Sequence, residues 1–146
     1  MVKRLSLIAL LAVAGCNTAS VPLAPAPADA EGKKFAPPPA GMGTIYVART
    51  GDGGTLIGIT ANQRMLGHLG NFTWLRVDVS PGTVDLRCMG GENIRDLQVP
   101  VAAGETKFVK TRASIGWQTL RCSLYEVDVS EGRQAVTEGN RALEAR

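Results

Sequence analysis

The chain holds little from which to build a metal centre or a catalytic constellation: one histidine, His68, and three cysteines, Cys16, Cys88 and Cys122, in 146 residues. No C-x-x-C or H-x-x-x-H spacing joins them, and a zinc site drawn from His68, Cys88 and Cys122 would still need a fourth ligand. Aromatic residues make up only 5%. Neither Trp74 nor Trp117 is flanked by a basic run, which excludes the basic, aromatic-interleaved surface that holds nucleic acid. No Asp-rich loop completes a calcium site. The glycine cluster Gly51-Asp52-Gly53-Gly54 lacks the lysine and following helix of a phosphate-binding loop. No cofactor is expected. Long apolar runs are also missing: the one from Leu5 to Ala14 has about half of the ~20 residues that a membrane-spanning helix takes.

What that run does have is its flanks. Lys3 and Arg4 precede it, and Gly15 and Cys16 follow, which gives the charged, apolar and small-residue regions of an export signal over residues 1–15. Val13-Ala14-Gly15-Cys16 is similar to the lipobox of bacterial prolipoproteins, and that resemblance implies a diacylglyceryl group on the Cys16 sulfur. Plain secretion is the competing reading, since Ala12-Val13-Ala14 also forms an A-x-A cleavage site. Cysteine parity favours the lipobox: an odd cysteine in a secreted chain asks for an explanation, and lipidating Cys16 leaves the even pair Cys88 and Cys122 for a disulfide outside the cytoplasm. Without Lys3 and Arg4, the sixteen basic residues fall to fourteen against thirteen acidic ones, a mature charge near +1.

Residues 16–43 are expected to be the lipidated cysteine and a linker. Six of the eight prolines fall between Val21 and Gly43, and a Pro/Ala-rich stretch poor in bulky apolar side chains favours extended polyproline II conformations. Fully extended at ~3.1 Å per residue, it would reach on the order of 80 Å.

Beyond Gly43, short β-type runs alternate with Gly, Pro and Asn. Thr44 to Thr50 is a first strand, turning through Gly51 to Gly54; Thr55 to Thr60 and Arg64 to Leu69 follow, joined near Asn62. A hairpin is expected from Phe72 to Ser80, through Pro81-Gly82, to Thr83 to Cys88. In it Leu75, Val77, Val79, Val84, Leu86 and Cys88 face inward, and Arg76 and Asp78 oppose Asp85 and Arg87 across the outer face. Asn93 to Val101, Thr106 to Ala113 and Thr119 to Val129 complete the set. In the last of these Leu120, Cys122 and Leu124 point one way and Tyr125, Val127 and Val129 the other, so a bulge or a change of packing partner is expected near Leu124. Residues 131–146 are a polar tail or a short helix. About seven short strands over residues 44–130 suit one small, all-β antiparallel β-sandwich.

The order of Ile45-Tyr46-Val47-Ala48-Arg49, Gly67-His68-Leu69, Val77-Asp78-Val79-Ser80-Pro81-Gly82 and Val101-Ala102-Ala103-Gly104-Glu105-Thr106 resembles an uncharacterised family of bacterial lipoproteins carrying a domain of unknown function of the PEGA-like β-sandwich type. That resemblance covers roughly residues 44–130. It implies a fold and a location without a chemistry: a non-enzymatic module in the cell envelope, anchored to membrane through its N-terminal lipid, with an envelope protein or peptidoglycan as partner. Asn17 is not the Asp associated with inner-membrane retention, so the periplasmic face of the outer membrane is expected. Trp74, Trp117, Tyr46 and Tyr125 are the candidate binding surface, because indoles and phenols join apolar area to a polar tip; Trp117 capping the core after Gly116 is the alternative. Glu126 and Asp128, two apart on one strand, are either solvated charges or an acid/base pair. The alternative function is an envelope hydrolase or metal-dependent enzyme using His68.

Overall fold

The computed structural model describes residues 20–146; the expected signal peptide and Cys16 lie outside the described residues. The chain is mostly β, in two sheets. Its elements are α1 (Ala26–Gly32), β1 (Gly43–Arg49), β2 (Ile57–Ala61), β3 (Arg64–Leu69), β4 (Thr73–Val79), β5 (Gly82–Met89), β6 (Ile94–Val101), β7 (Thr106–Ile115), β8 (Leu120–Val127), α2 (Val129–Glu138) and the two-residue β9 (Asn140–Arg141). One sheet has the order β8-β7-β1-β4-β9 and the other β3-β2-β5-β6. Among the described residues nine strands therefore stand where about seven were expected. The order is not purely antiparallel either, since β1 runs parallel to β7 and β9 parallel to β4.

The main core lies between the sheets. Ile45, Val47, Leu75, Val77 and Val109 from the five-stranded sheet meet Ile57, Ile59, Val84, Leu86 and Val99 from the four-stranded one, the inward sets that period-two alternation selects. The same alternation left open which sheet each strand joins. β4 pairs with β1 and β9, whereas β5 pairs with β2 and β6. The expected Phe72–Cys88 hairpin is therefore an arch from one sheet to the other through Pro81 and Gly82, with Gly82 at φ 138°. Both strands bury one face of the same core, so their patterns look alike whether they pair or stack.

Gly51 to Gly54 is likewise an arch and not a hairpin turn, because β1 and β2 belong to different sheets. It wraps around Arg49, whose side chain is 0% exposed. The guanidinium donates to Asp52 Oδ1 at 2.8 Å, to the carbonyls of Gly53 at 2.9 Å and Leu69 at 3.0 Å, and to that of Thr55. The other Asp52 oxygen accepts the Ala113 N–H at 2.6 Å. A buried charge is tolerated when it is paired and its donors are satisfied; here it fastens the arch, β3 and β7 to the end of β1. A true hairpin joins β2 to β3 through Asn62 and Gln63, at φ 47° and 68°, the doubly positive turn that matches strand twist.

β1 is buried at all seven positions because both faces of its sheet are covered. Outside, Tyr46, Trp74 and Phe108 form a second cluster with Ala48, Ala135 and Val136, completed by the half-buried Phe35 and Val127. Residues 21–43, expected to be an extended tether, supply much of this cover. Leu23 bridges to Ala142; Asp29 Oδ1 accepts the Arg141 N–H at 2.7 Å; the Gly32 carbonyl accepts the Tyr46 hydroxyl at 2.9 Å; Phe35 lies 5.6 Å from the Tyr46 ring. Glycine is needed at position 32, where a Cβ would stand 2.1 Å from the Trp74 ring. The composition that suggested a free linker, small and Pro-rich, is also one that lies flat on an aromatic surface.

α2 covers the other half of that cluster. It starts at Val129, earlier than expected, because Asp128 caps it by accepting the Glu131 N–H at 2.8 Å. The β7–β8 register is unbroken from Phe108↔Val127 to Ile115↔Leu120, so no bulge occurs near Leu124. The strand instead changes packing partner: Cys122 joins the inter-sheet core and Val127 packs under α2. Cys88 on β5 and Cys122 on β8 stand at disulfide distance, Sγ–Sγ 2.09 Å with Cα atoms 6.2 Å apart, and tie the two sheets along their β6–β8 side. Among the described residues no helix is long and apolar enough to cross a membrane.

Candidate functional site

The two sheets differ in how their outer faces are finished. Helices and aromatics cover the five-stranded one. The four-stranded one carries an open trough of about 590 Å³, lined by Thr60 and Gln63 from β2 and its turn, Asp85, Arg87 and Met89 from β5, and Asp96 and Gln98 from β6. These positions follow from register: Arg87 sits opposite Asp96 and Asp85 opposite Gln98, so alternate residues of neighbouring strands project side by side from one face. Arg87 and Asp96 form a two-pronged ion pair, Nε–Oδ1 2.6 Å and Nη2–Oδ2 3.0 Å. Its hydrogen bonds hold the Asp96 carboxyl below its ordinary range and the Arg87 guanidinium above its own, which keeps both charged. The trough offers amide, hydroxyl and carboxylate groups at fixed spacing, with the Met89 thioether as its apolar element.

The expected pairing of Arg76 and Asp78 with Asp85 and Arg87 does not occur, because β4 and β5 lie in different sheets. Arg76 pairs with Asp78 of its own strand at 3.1 Å, and Asp78 accepts the Thr44 hydroxyl at 2.6 Å.

Of the four aromatics expected at a binding surface, Trp74 and Tyr46 are 0% and 1% exposed and belong to the second cluster. Burial raises the Tyr46 hydroxyl pKa above its ordinary value, although Arg76, 5.8 Å from its ring, opposes the shift. Tyr125 is half-buried beneath Arg112, 5.8 Å from its ring centre. Only Trp117 is free of the fold. It is 91% exposed, next to Ile115 at 92%, and so does not cap the core after Gly116.

The tip that carries it is held from below by a residue that composition and motif do not single out. The Glu92 carboxylate accepts the backbone N–H groups of Trp117 at 2.9 Å, Thr119 at 2.7 Å and Gln118, and meets Arg121 at 3.2 Å. Those backbone donors, Gln118 first, lower its pKa from 4.5 to about 2. Beside it, Asn93 bonds both the N–H and the carbonyl of Cys122, at 2.7 and 2.9 Å.

Compared with protein-family models, curated proteins and solved structures, the chain matches none. Its chemistry therefore has to be read from the residues themselves. His68 faces solvent on β3, opposite Gly58, and is not among the residues lining the trough. Among the described residues, no group of three or more His, Cys, Asp or Glu side chains is placed to hold a metal ion. Glu126 pairs with Lys107 at 3.1 Å while Asp128 caps α2, so these two carboxylates have separate structural tasks. Cys16 lies outside the described residues. The sequence signal for the covered face is present: Tyr46, Trp74 and Phe108 each sit out of phase with their strand's aliphatic face, which puts one large aromatic on the outer face of each strand.

Proposed function

We propose that this chain is a lipid-anchored lipoprotein of the bacterial cell envelope, held through Cys16 at the periplasmic face of the outer membrane, whose two-sheet domain is a non-enzymatic module binding a protein or cell-wall partner. The observation that carries the binding role is the difference between the sheets. One outer face is sealed by an aromatic cluster and two helices, while the other is left as an open trough of hydrogen-bonding side chains with a charge-fixed Arg87–Asp96 pair. A trough whose Arg87 and Asp96 are already paired, with the Asp85 carboxylate, two amides and a hydroxyl beside them, suits recognition of a polar chain, a glycan or an extended peptide, by hydrogen bonds. The Val13 to Cys16 sequence and the cysteine pair at disulfide distance support the extracytoplasmic location, where such bonds persist.

Two measurements test the reading. Intact-mass analysis of protein from the membrane fraction is expected to show an acylated N-terminus at Cys16, and Cys16→Ser to move the protein to the soluble fraction; an unmodified mature chain starting at Gly15 refutes the anchor. A photo-crosslinking residue at Gln98, introduced in intact cells, is expected to capture a defined envelope partner, and the same residue at Glu138 on the opposite side to capture none. Equal labelling from both positions refutes the trough as the binding face.

A further inference from the structure

Exposed apolar side chains gather at one end of this domain. β1 ends level with Thr111 of its parallel neighbour β7, which runs on in the same direction to Ile115, and β4 and β9 start at that end. The arch after Arg49, the turn before Thr73, the turn between β5 and β6 and the β7–β8 tip therefore share that end. Ile115 and Trp117 stand there almost wholly in solvent, with Ile94 and Phe72 about half exposed. The tip is ordered, since Glu92 holds three successive backbone N–H groups and the Gly116 N–H donates to the Thr119 carbonyl at 2.7 Å. With its pKa at about 2, Glu92 keeps that grip at any physiological pH. A rigid loop that presents an indole and an isoleucine to water is pre-formed for a surface that removes them from it.

The chain leading to Cys16 comes in beside the same loops. Ser20 and Val21 line a cleft of about 340 Å³ together with Gly54, Gly70, Asn71 and Phe72. Ser20 is four residue steps from Cys16, which even fully extended span at most roughly 14 Å. Much of the longer tether read from the sequence is instead packed on the domain, so a lipid on Cys16 leaves this end little freedom to move away from the bilayer. Arg95, exposed next to the β5–β6 turn, matches the anionic phosphates of a lipid headgroup layer, while the exposed Arg121 is paired with Glu92.

We propose that this end of the domain rests on the membrane that holds the Cys16 lipid, with Ile115 and Trp117 entering the headgroup region of a bilayer containing anionic phospholipid. The proposal rests on the reading of Cys16 as lipidated. An indole suits that depth because it is apolar with one polar edge, and a second, weaker attachment makes a lipid anchor firm. The trough on β2, β5 and β6 then faces sideways along the membrane, open to a partner in the envelope.

The test uses the full-length lipidated protein in vesicles of phosphatidylethanolamine and phosphatidylglycerol, with or without bromine on the upper acyl chain. Trp74 is enclosed in the second cluster and serves as an internal reference. Brominated vesicles are expected to remove most of the Trp117 emission, and the Trp117→Tyr variant, still acylated and vesicle-bound, to show little change. Equal emission from brominated and plain vesicles, with protein that is acylated and co-sediments, overturns the proposal and leaves the anchor standing. An unacylated mass with no co-sedimentation overturns the anchor reading, and this proposal with it. Trp117 shielded from aqueous iodide in native envelopes yet unquenched by brominated lipid assigns the tip to a protein partner and also overturns the proposal.

Discussion

Replacing Gly32 by alanine separates a packed strap from a free linker by the sign of its effect. In a linker, alanine is the better residue at the end of a short helix, by about 1 kcal/mol relative to glycine, and the domain would be unaffected or slightly more stable. In the structure, the added Cβ meets the Trp74 ring at 2.1 Å, and that indole, enclosed on all sides, has no room to retreat. Residues 26–35 must lift, which breaks the 2.9 Å hydrogen bond from the Tyr46 hydroxyl to the Gly32 carbonyl and loosens Phe35 over Tyr46 and Phe108. Overpacking of this kind costs about 1–3 kcal/mol and the lost hydrogen bond about 1 kcal/mol more. At roughly 4 °C per kcal/mol for a domain of this size, the melting temperature falls by roughly 8–16 °C. Gly54→Ala is the control, since a Cβ there meets nothing within 4 Å. Thermal unfolding followed by tryptophan emission compares the three proteins. A Gly32→Ala protein that melts within a degree of wild type refutes the packing of residues 26–35 on Trp74.

Cys88 and Cys122, 34 residues apart in sequence, are expected to be bridged in protein taken from the envelope, and reduction to lower stability by about 4 kcal/mol through loop entropy; two free thiols in non-reducing mass analysis count against it. Arg49→Met should cost about 3–5 kcal/mol, because it strips the cation from Asp52 and three carbonyls in a buried site. It is read as a shift of the urea midpoint at unchanged slope, and a midpoint equal to wild type contradicts the role given to the arch. For Glu92 the folded pKa lies below the unfolded one, so its contribution to the tip is complete above about 4.5 and is lost as pH falls through about 2. A carboxyl titration followed by NMR with its midpoint near 4.5 would show that the three backbone donors do not engage it.

The strands themselves were largely legible. Alternation at Leu75, Val77 and Val79, and at Val84, Leu86 and Cys88, identified inward faces correctly, since burial of one face is a local property of a strand. Pairing is not local. Pro81-Gly82 and Gly51 to Gly54 read as turns and are turns, but nothing in their composition says whether the chain returns to its own sheet or crosses to the opposite one. The Pro/Ala-rich segment misled for a related reason: it buries little of its own and gains order from what it covers. Within it, Gly32 and Phe35 were the residues to weigh. Of the candidate surface aromatics only Trp117 is fully exposed, and the trough is not legible in the sequence because its members come from three strands whose register the sequence does not show.

The strap also has a bearing on how the chain reaches this state. Its partners belong to the other terminus: Asp29 bonds Arg141 across a sequence separation of 112 residues, and Leu23 bridges to Ala142. β1, next in order, needs β7 for its parallel neighbour. A chain emerging N-terminus first therefore presents its strap and first strand long before the segments that receive them exist outside. Contacts this distant in sequence are slow to form, and until they do Tyr46 and Trp74 stay open to water and to other chains. Residues 140–143 act as the latch, so trimming the C-terminus before Asn140, which removes β9, is expected to free the N-terminal strap, at the far end of the sequence, while β8, the last long strand before the cut, stays paired with β7.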